Sequence, residues 1–296
     1  MRLGIDFGGT KIEAALLDSQ GEILARRRTP NPGSYEGAVR AVADLAARIE
    51  QEAGARARTV GVAMPGSLSP LTGLVRNANS LWLNGKPFRQ DLQAALARPV
   101  RVENDANCFA LSEAADGAAA DARVVFGAIL GTGCGGGVVV DGRIIEGLNK
   151  VGGEWGHTPL PWPRADEWPA PRHWCGRRGC LEEWISGSGF KRWSGMSAPD
   201  ADERARAGDA QARVALDLLA DRISRGLSVV IDILDPDVIV FGGGLSNVEA
   251  LYPSVRGKLI AHVFSDVVRT KVVKNKHGDS SGVRGAAWLF TAEEAA

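Results

Sequence analysis

No uninterrupted apolar run reaches the roughly 18 residues that a membrane-crossing helix needs, so no segment reads as a transmembrane span. A charge surplus is missing as well. The 35 Lys and Arg are balanced by 35 Asp and Glu, and no basic stripe marks a nucleic-acid surface. Cysteine is scarce, at four in 296 residues, which excludes a disulfide scaffold. The opening "MRLGIDFGGT" has no charged-then-apolar leader and runs straight into a strand pattern, so the expected location is the cytoplasm. Neither a G-x-x-x-x-G-K-[ST] loop nor a G-x-G-x-x-G turn opening a helix occurs, which removes the Walker and Rossmann readings.

What the chain does have is glycine at strand ends. "RLGIDFGG", "KIEAALLDS" and "GEILARRRTP" read as three strands joined by tight turns, an antiparallel meander. The arginines at 26–28 read as a solvated strand end. "YEGAVRAVADLAARIEQEAG" has helical spacing and a glycine stop at Gly54. "TVGVAMPG" reads as a buried strand, "FRQDLQAALARP" as a helix closed by Pro99, and "VRVENDANCFALSEA" as a strand entering a helix. The pattern then restarts. "ARVVFGAILGTGCGGGVVVDGRII" is strand, glycine turn, strand, with a hairpin at Asp141-Gly142. A long helix from Asp209, the strand "PDVIVFGGG" and a closing helix over "SSGVRGAAWLFTAEEAA" complete it. The repetition implies a duplicated α/β architecture with a cleft between the halves. The boundaries expected are 1–117 and 118–280, with the helix at 281–296 packing back on the first domain.

Three glycine turns stand out: Asp6 to Thr10, Gly131-Thr132-Gly133 and Gly242-Gly243-Gly244. Such turns let backbone N–H groups approach phosphate oxygens closely, though a single one is most often only a turn. At "VENDANC" an aspartate sits where a strand meets a helix. Asp105 there is either an N-cap or a general base aimed into a cleft mouth. Cys108 and Cys134 read as buried apolar residues. Cys175 and Cys180 lie with His157 and His173 in the Trp- and Pro-rich segment 157–184, which is either a metal loop or a loop with incidental cysteines.

Taken together and in order, "GIDFGGTK", "NDANC", "GTGCGGG", "GEWGH" and "CGRRGCLEE" resemble the motifs of the ROK sugar kinases, relatives of hexokinase and actin. "NANSLWLNG" and "KHGDSSGVRGAAWL" are similar to the manno(fructo)kinase-type fructokinases among them. The resemblance implies an actin-like, two-domain α/β kinase that takes ATP with Mg²⁺ and a hexose, binds zinc, and forms a homodimer. It implies that Asp6, Gly8, Gly9, Thr10 and Lys11 hold phosphates, with Asp6 facing Mg²⁺ through water. It places Gly131, Thr132 and Gly133 at the β- and γ-phosphates and Gly242, Gly243 and Gly244 against the adenosine. It makes Asp105 the catalytic base, and Gly66, Ser67, Asn79, Asn104, Glu154, His157 and Glu182 sugar contacts. It implies zinc on His157, Cys175 and Cys180, with His173 standing where the family carries a third cysteine. The sugar expected is fructose, phosphorylated at O6, with glucokinase and N-acetylglucosamine kinase as alternatives. A sugar-responsive repressor is disfavoured because the phosphate motif begins at Ile5, and a non-catalytic sugar module because Asp6, Asp105 and all three glycine turns are intact.

Overall fold

The computed structural model describes residues 1–295. The chain opens with β1 (Arg2–Phe7), β2 (Lys11–Leu17), β3 (Ile23–Pro30), α1 (Tyr35–Ala53) and β4 (Val60–Met64). Next come the two-residue strands β5 (Ser67–Leu68) and β6 (Val75–Arg76), then α2 (Phe88–Leu96), β7 (Val100–Asn104) and α3 (Asp105–Ala115). β8 (Val124–Leu130), β9 (Cys134–Val140) and β10 (Arg143–Ile144) follow. After a long irregular segment come α4 (Glu182–Ile185), α5 (Gly187–Ser194), α6 (Ala198–Arg206), α7 (Ala210–Leu234) and β11 (Val238–Gly242). α8 (Leu251–Leu259), β12 (Lys271–Lys274), α9 (Ser281–Ala287) and α10 (Ala292–Ala295) end the chain. These elements form two compact units, one of residues 1–120, 142–152 and 277–296, the other of 121–141 and 153–276.

The first unit is a five-stranded sheet in the order β3-β2-β1-β4-β7. β1, β2 and β3 pair antiparallel, while β1, β4 and β7 run parallel. Alternation decides which face each residue joins. Leu3, Ile5 and Phe7 pack with Ile12, Leu16 and the apolar stripe of α1, together with Phe88 and Leu92 of α2. Gly4 and Gly61 turn to the other face, where α9 lies directly on the sheet. A Cβ on Gly4 would sit 2.0 Å from the Val283 carbonyl oxygen, and one on Gly61 1.7 Å from that of Ala286. Glycine is required at both because helix backbone occupies the space of a side chain.

Three local expectations are corrected. The closing helix is not continuous: α9 stops at Ala287 and α10 begins at Ala292. Thr291 and Glu294 form a reciprocal capping pair (Thr291 N–H to Glu294 Oε2, 2.8 Å; Glu294 N–H to Thr291 Oγ1, 3.3 Å), which starts a fresh helix. The arginines of β3 are not simply solvated, since Arg26 and Arg28 both pair with Glu13 on β2, whose side chain is 1% exposed. Finally, α2 ends at Leu96, with Ala97 in the left-handed region at φ 51°, before Pro99 is reached.

In the second unit the strands run β9-β8-β11-β12, with β8 and β9 antiparallel and β8, β11 and β12 parallel. This repeats the order and directions of β2-β1-β4-β7. The 25-residue α7 is capped by Asp209, whose carboxylate accepts from the N–H groups of Gln211 and Ala212. The irregular segment between β10 and α4 packs on α7. Gly226 makes this possible, because a Cβ there would lie 3.0 Å from Leu181 and 3.2 Å from Trp155.

Candidate functional site

The predicted residues of the first unit gather at the carboxyl ends of its parallel strands, where open α/β sheets place their ligands. Asp6 lies near the end of β1, Gly66 just beyond β4, and Asn104 and Asp105 at the end of β7. Gly8 to Lys11 form the tight turn from β1 to β2, closed by a Gly8 N–H to Lys11 O bond of 3.0 Å. Asn31 braces it, donating its side-chain N–H to the Gly8 carbonyl at 2.8 Å. Gly9, Thr10 and Lys11 are exposed there.

Asn104, not Asp105, caps α3. Its Oδ1 accepts from Ala106 N–H at 2.9 Å and from Asn107 N–H at 3.4 Å, and its Nδ2 donates to the Gly66 carbonyl at 3.1 Å. The N-cap alternative for Asp105 therefore fails, and its exposed carboxylate opens the helix at its first residue. Gly66 has φ 80° and no room for a side chain, since a Cβ would meet the Arg76 carbonyl oxygen at 2.5 Å. Ser67 Oγ accepts from Arg76 Nε at 3.2 Å. Asn79 is exposed on the following loop, which Asn84 holds by bonding both the N–H and the C=O of Ala78 at 2.9 Å.

Asp6 is electrostatically unusual. Burial first, then the nearby charges of Asp105 and Glu13, push its carboxyl up to about 6, against the pull of Lys11 and Arg28. Gly282 of α9 crowds it, since a Cβ there would stand 3.0 Å from Asp6 Oδ2.

The second unit repeats the arrangement. Gly131 follows β8 and Gly242 ends β11, again at parallel carboxyl ends. The two glycine turns touch. Gly243, at φ 74°, would carry its Cβ 2.8 Å from the Gly131 nitrogen. Thr132 and Gly244 are exposed.

The segment 157–184 brings His157, His173, Cys175 and Cys180 together, with their ligand atoms all within 4.8 Å of one another. The two sulfurs are 3.7 Å apart, close to the ~3.7 Å edge of a tetrahedron with Zn–S bonds of ~2.3 Å. His173 Nδ1 lies 2.9 Å from Cys175 Sγ. His157 Nδ1 is buried without a hydrogen-bond partner, as a nitrogen reserved for a metal would be. Burial pushes Cys175 up, but hydrogen bonds from His173, the Arg177 backbone, Cys180 and His157 together draw it down, while burial and Cys175 push Cys180 up. Two sulfurs and two ring nitrogens suit Zn²⁺.

Glu154 and Glu182 flank these four residues. Glu154 is exposed, with Oε2 3.6 Å from His157 Nε2. Glu182 is more committed. Its Oε1 is 2.7 Å from His173 Nε2 and accepts from Trp174 Nε1 at 2.9 Å, and its Oε2 accepts the Cys134 N–H at 2.7 Å. Burial pushes this carboxyl up, but these three bonds bring it below the usual glutamate range.

A second clamp on the same segment escaped sequence reading. Glu167 is fully buried and meets Arg225 (Oε1 to NH2, 2.6 Å) and Arg222 (Oε1 to Nε, 2.9 Å) of α7. Arg225 also donates to the carbonyls of Pro161 and Trp162 at 3.0 and 2.9 Å. Burial opposes the charge, yet the arginines hold the Glu167 carboxyl at about 2. The only signal is that Arg222 and Arg225 fall among the buried residues of α7.

Comparison with known proteins agrees with this geometry. The ROK family profile matches residues 2–293. N-acetyl-D-glucosamine kinase of Shigella boydii serotype 4 (strain Sb227) is 38% identical over 301 residues, spanning 98% of this chain and 99% of that protein. The ROK hexokinase from Thermus thermophilus superposes with a TM-score of 0.86 at 31% identity, over 97% of this chain and 96% of the other. A ROK family glucokinase from Streptomyces griseus, solved with glucose and AMPPNP, gives 0.77 at 27% identity, over 97% and 98%. The sheet order, the strand-end glycine turns and this similarity along the whole chain agree: the protein has the actin-like, hexokinase-type α/β fold and belongs to the ROK family.

Proposed function

We propose that the chain is an ATP-dependent sugar kinase that phosphorylates the 6-hydroxyl of a hexose, with Asp105 as general base. The observation that carries this reading is the pairing of Asp105 with Asp6 beside a glycine turn, with Asp6 raised to about 6. A half-buried, desolvated carboxylate near further carboxylates fits a site completed by a cation. Phosphoryl transfer needs mainly positioning and charge neutralisation. The exposed turn Gly8 to Lys11 offers backbone N–H groups and an ammonium to phosphates, as does Gly131 to Gly133. Asp6 would hold the Mg²⁺ of the nucleotide through water, and that ion supplies neutralisation of the phosphate charge. Asp105 takes the proton of the attacking hydroxyl, a contribution worth about 10²–10⁴-fold. Asn79, Asn104, Glu154, His157 and Glu182 pair the remaining hydroxyls, with Gly66 and Ser67 shaping the wall. Gly242 to Gly244 take the adenosine side.

The same reading assigns a structural zinc to His157, His173, Cys175 and Cys180. The orphaned His157 Nδ1 and the 3.7 Å sulfur separation support it. Held by these four residues, a zinc ion would supply folding energy to the loop that carries Glu154 and Glu182.

For the sugar, the reading is fructose, with mannose a weaker substrate. Its support is the resemblance at "NANSLWLNG" and "KHGDSSGVRGAAWL". Trp82 in the first of these packs edge-on against Phe7, ring centres 6.1 Å apart. N-acetylglucosamine is the second reading, favoured by the 38% identical kinase. A sugar that leaves one buried polar group unpaired loses about 1–3 kcal/mol. A coupled ADP-release assay over fructose, mannose, glucose and N-acetylglucosamine separates the readings. Fructose is expected to give the highest kcat/KM. A tenfold lead for N-acetylglucosamine or glucose overturns the sugar, and no ADP release with any hexose overturns the kinase.

A further inference from the structure

We infer that His173 and Glu182 form a positioning relay that ties the metal loop to the glycine turn Gly131–Gly133, so that metal occupancy sets the shape of the phosphate site as well as the sugar site. The inference rests on the zinc reading above and goes beyond it. A cysteine at 173 would offer one sulfur to a metal and nothing further. Histidine offers two nitrogens on opposite sides of the ring, and here both are placed. Nδ1 faces the thiols at 2.9 Å from Cys175 Sγ, and Nε2 faces Glu182 Oε1 at 2.7 Å. The ring is fully buried, so neither nitrogen has water as an alternative.

The relay continues through the carboxylate. Glu182 Oε2 accepts the N–H of Cys134, the first residue after the turn, at 2.7 Å. Gly133 is pressed against the same oxygen, and a Cβ there would stand 2.7 Å from it. At the first residue of α5, the Gly187 N–H holds the Gly131 carbonyl at 2.7 Å. Both ends of the turn are thus held from the corner of α4 and α5, and Glu182 also reaches His173.

Tautomer chemistry gives the relay its direction. A metal on Nδ1 fixes the ring proton on Nε2, which then donates to Glu182. Without the metal, nothing pins Nδ1, and the ring is free to leave Glu182 as the loop 157–184 loosens. Glu182 then loses its buried donor, keeps only Trp174 on that oxygen, and swings. Cys134 N–H and the turn follow it.

The test reads the turn directly by hydrogen exchange of the full chain, with zinc content measured in parallel. Loaded wild type is expected to protect the Cys134 amide, and chelation to raise its exchange about tenfold together with that of 157–184. His173→Cys, which keeps a zinc ligand but removes the second nitrogen, is expected to hold one zinc per chain yet exchange at Cys134 like the stripped protein. Its affinity for AMPPNP, measured without sugar, is expected to fall several-fold, a loss that mere anchoring of the metal loop would not produce. Protection at Cys134 that survives chelation, or a loaded His173→Cys that matches wild type in both readouts, overturns the relay. If His173→Cys takes no zinc, Glu182→Gln in the loaded protein decides by the same two readouts. Wild type free of zinc under every loading condition defeats the zinc reading itself, a failure that metal analysis distinguishes from a failure of the relay.

Discussion

Glu167, buried, and Asp6, half-buried, are carboxylates treated in opposite ways. Glu167 is met by two arginines and the Arg164 N–H, and its carboxyl is held at about 2. Asp6 faces Asp105 and Glu13, and its carboxyl is pushed up to about 6. A carboxylate that serves the fold is matched inside the chain. One that serves a ligand is left under-neutralised, and the missing positive charge arrives with the ligand. The strain is local and stabilises nothing in the resting protein.

The largest expected break in this contrast is Glu167→Ala. It strands two buried guanidinium groups, and removing one partner of a buried pair costs roughly 3–5 kcal/mol. Denaturant unfolding should show that loss. A change under about 1 kcal/mol would mean that the arginines find water instead. Next is Asp105→Asn. Turnover should fall on the order of 10²-fold or more with hexose binding largely kept. NMR titration of the Asp6 carboxyl in the same variant should show its midpoint moving down from about 6, because one of the charges that raises it has gone. A near-wild-type kcat would remove Asp105 from the base role.

Asp6→Asn should act with the opposite sign to Glu167→Ala. A folded carboxyl raised above its unfolded value costs stability above pH 6 or so, and the cost fades as pH falls through the raised value and the group takes up its proton. The substitution should therefore stabilise the ligand-free protein by roughly 1–3 kcal/mol at neutral pH while abolishing phosphoryl transfer. Destabilisation instead would make Asp6 a structural group. The smallest effect is the pH contrast in wild type. Glu167, with its lowered carboxyl, supplies stability that is present above the ordinary glutamate range and is lost as pH falls toward 2. Asp6 works the other way between about 6 and the ordinary aspartate range. A denaturation series should show a shallow gain on mild acidification that Asp6→Asn abolishes.

Legibility followed the same divide. Asp6, Asp105 and the glycine turns were visible because backbone approach to a ligand requires short, local, glycine-marked motifs. The opening meander β1-β2-β3 was visible for a similar reason, since strand, turn, strand is written in contiguous residues, whereas the parallel places of β4, β7, β11 and β12 are not. Glu167 was not, because "PRADEWP" carries no mark of a partner 55 residues away on α7. That Asn104 caps α3 while Asp105 stays exposed could not be read either, since both types cap well and stand adjacent. The break after α9 is written in "TAEE", whose Thr291 and Glu294 form the capping pair. His173 drew notice only as a departure from a cysteine pattern, and its second nitrogen toward Glu182 needed coordinates.

The seating of α9 on Gly4 and Gly61 carries a consequence for how the protein is made. The first sheet draws its strands from residues 2–104, but one of its faces is covered by residues 281–287, synthesised long after β7. While translation proceeds, that face, with Ala15, Leu17 and Ala63 on it, has no lid. The intervening second unit can fold first, since its two segments emerge before Ser281. The earliest strands are therefore finished late, by a contact spanning nearly the whole sequence, and such long-range closure is slow and leaves apolar surface open to aggregation or to a chaperone in the interval.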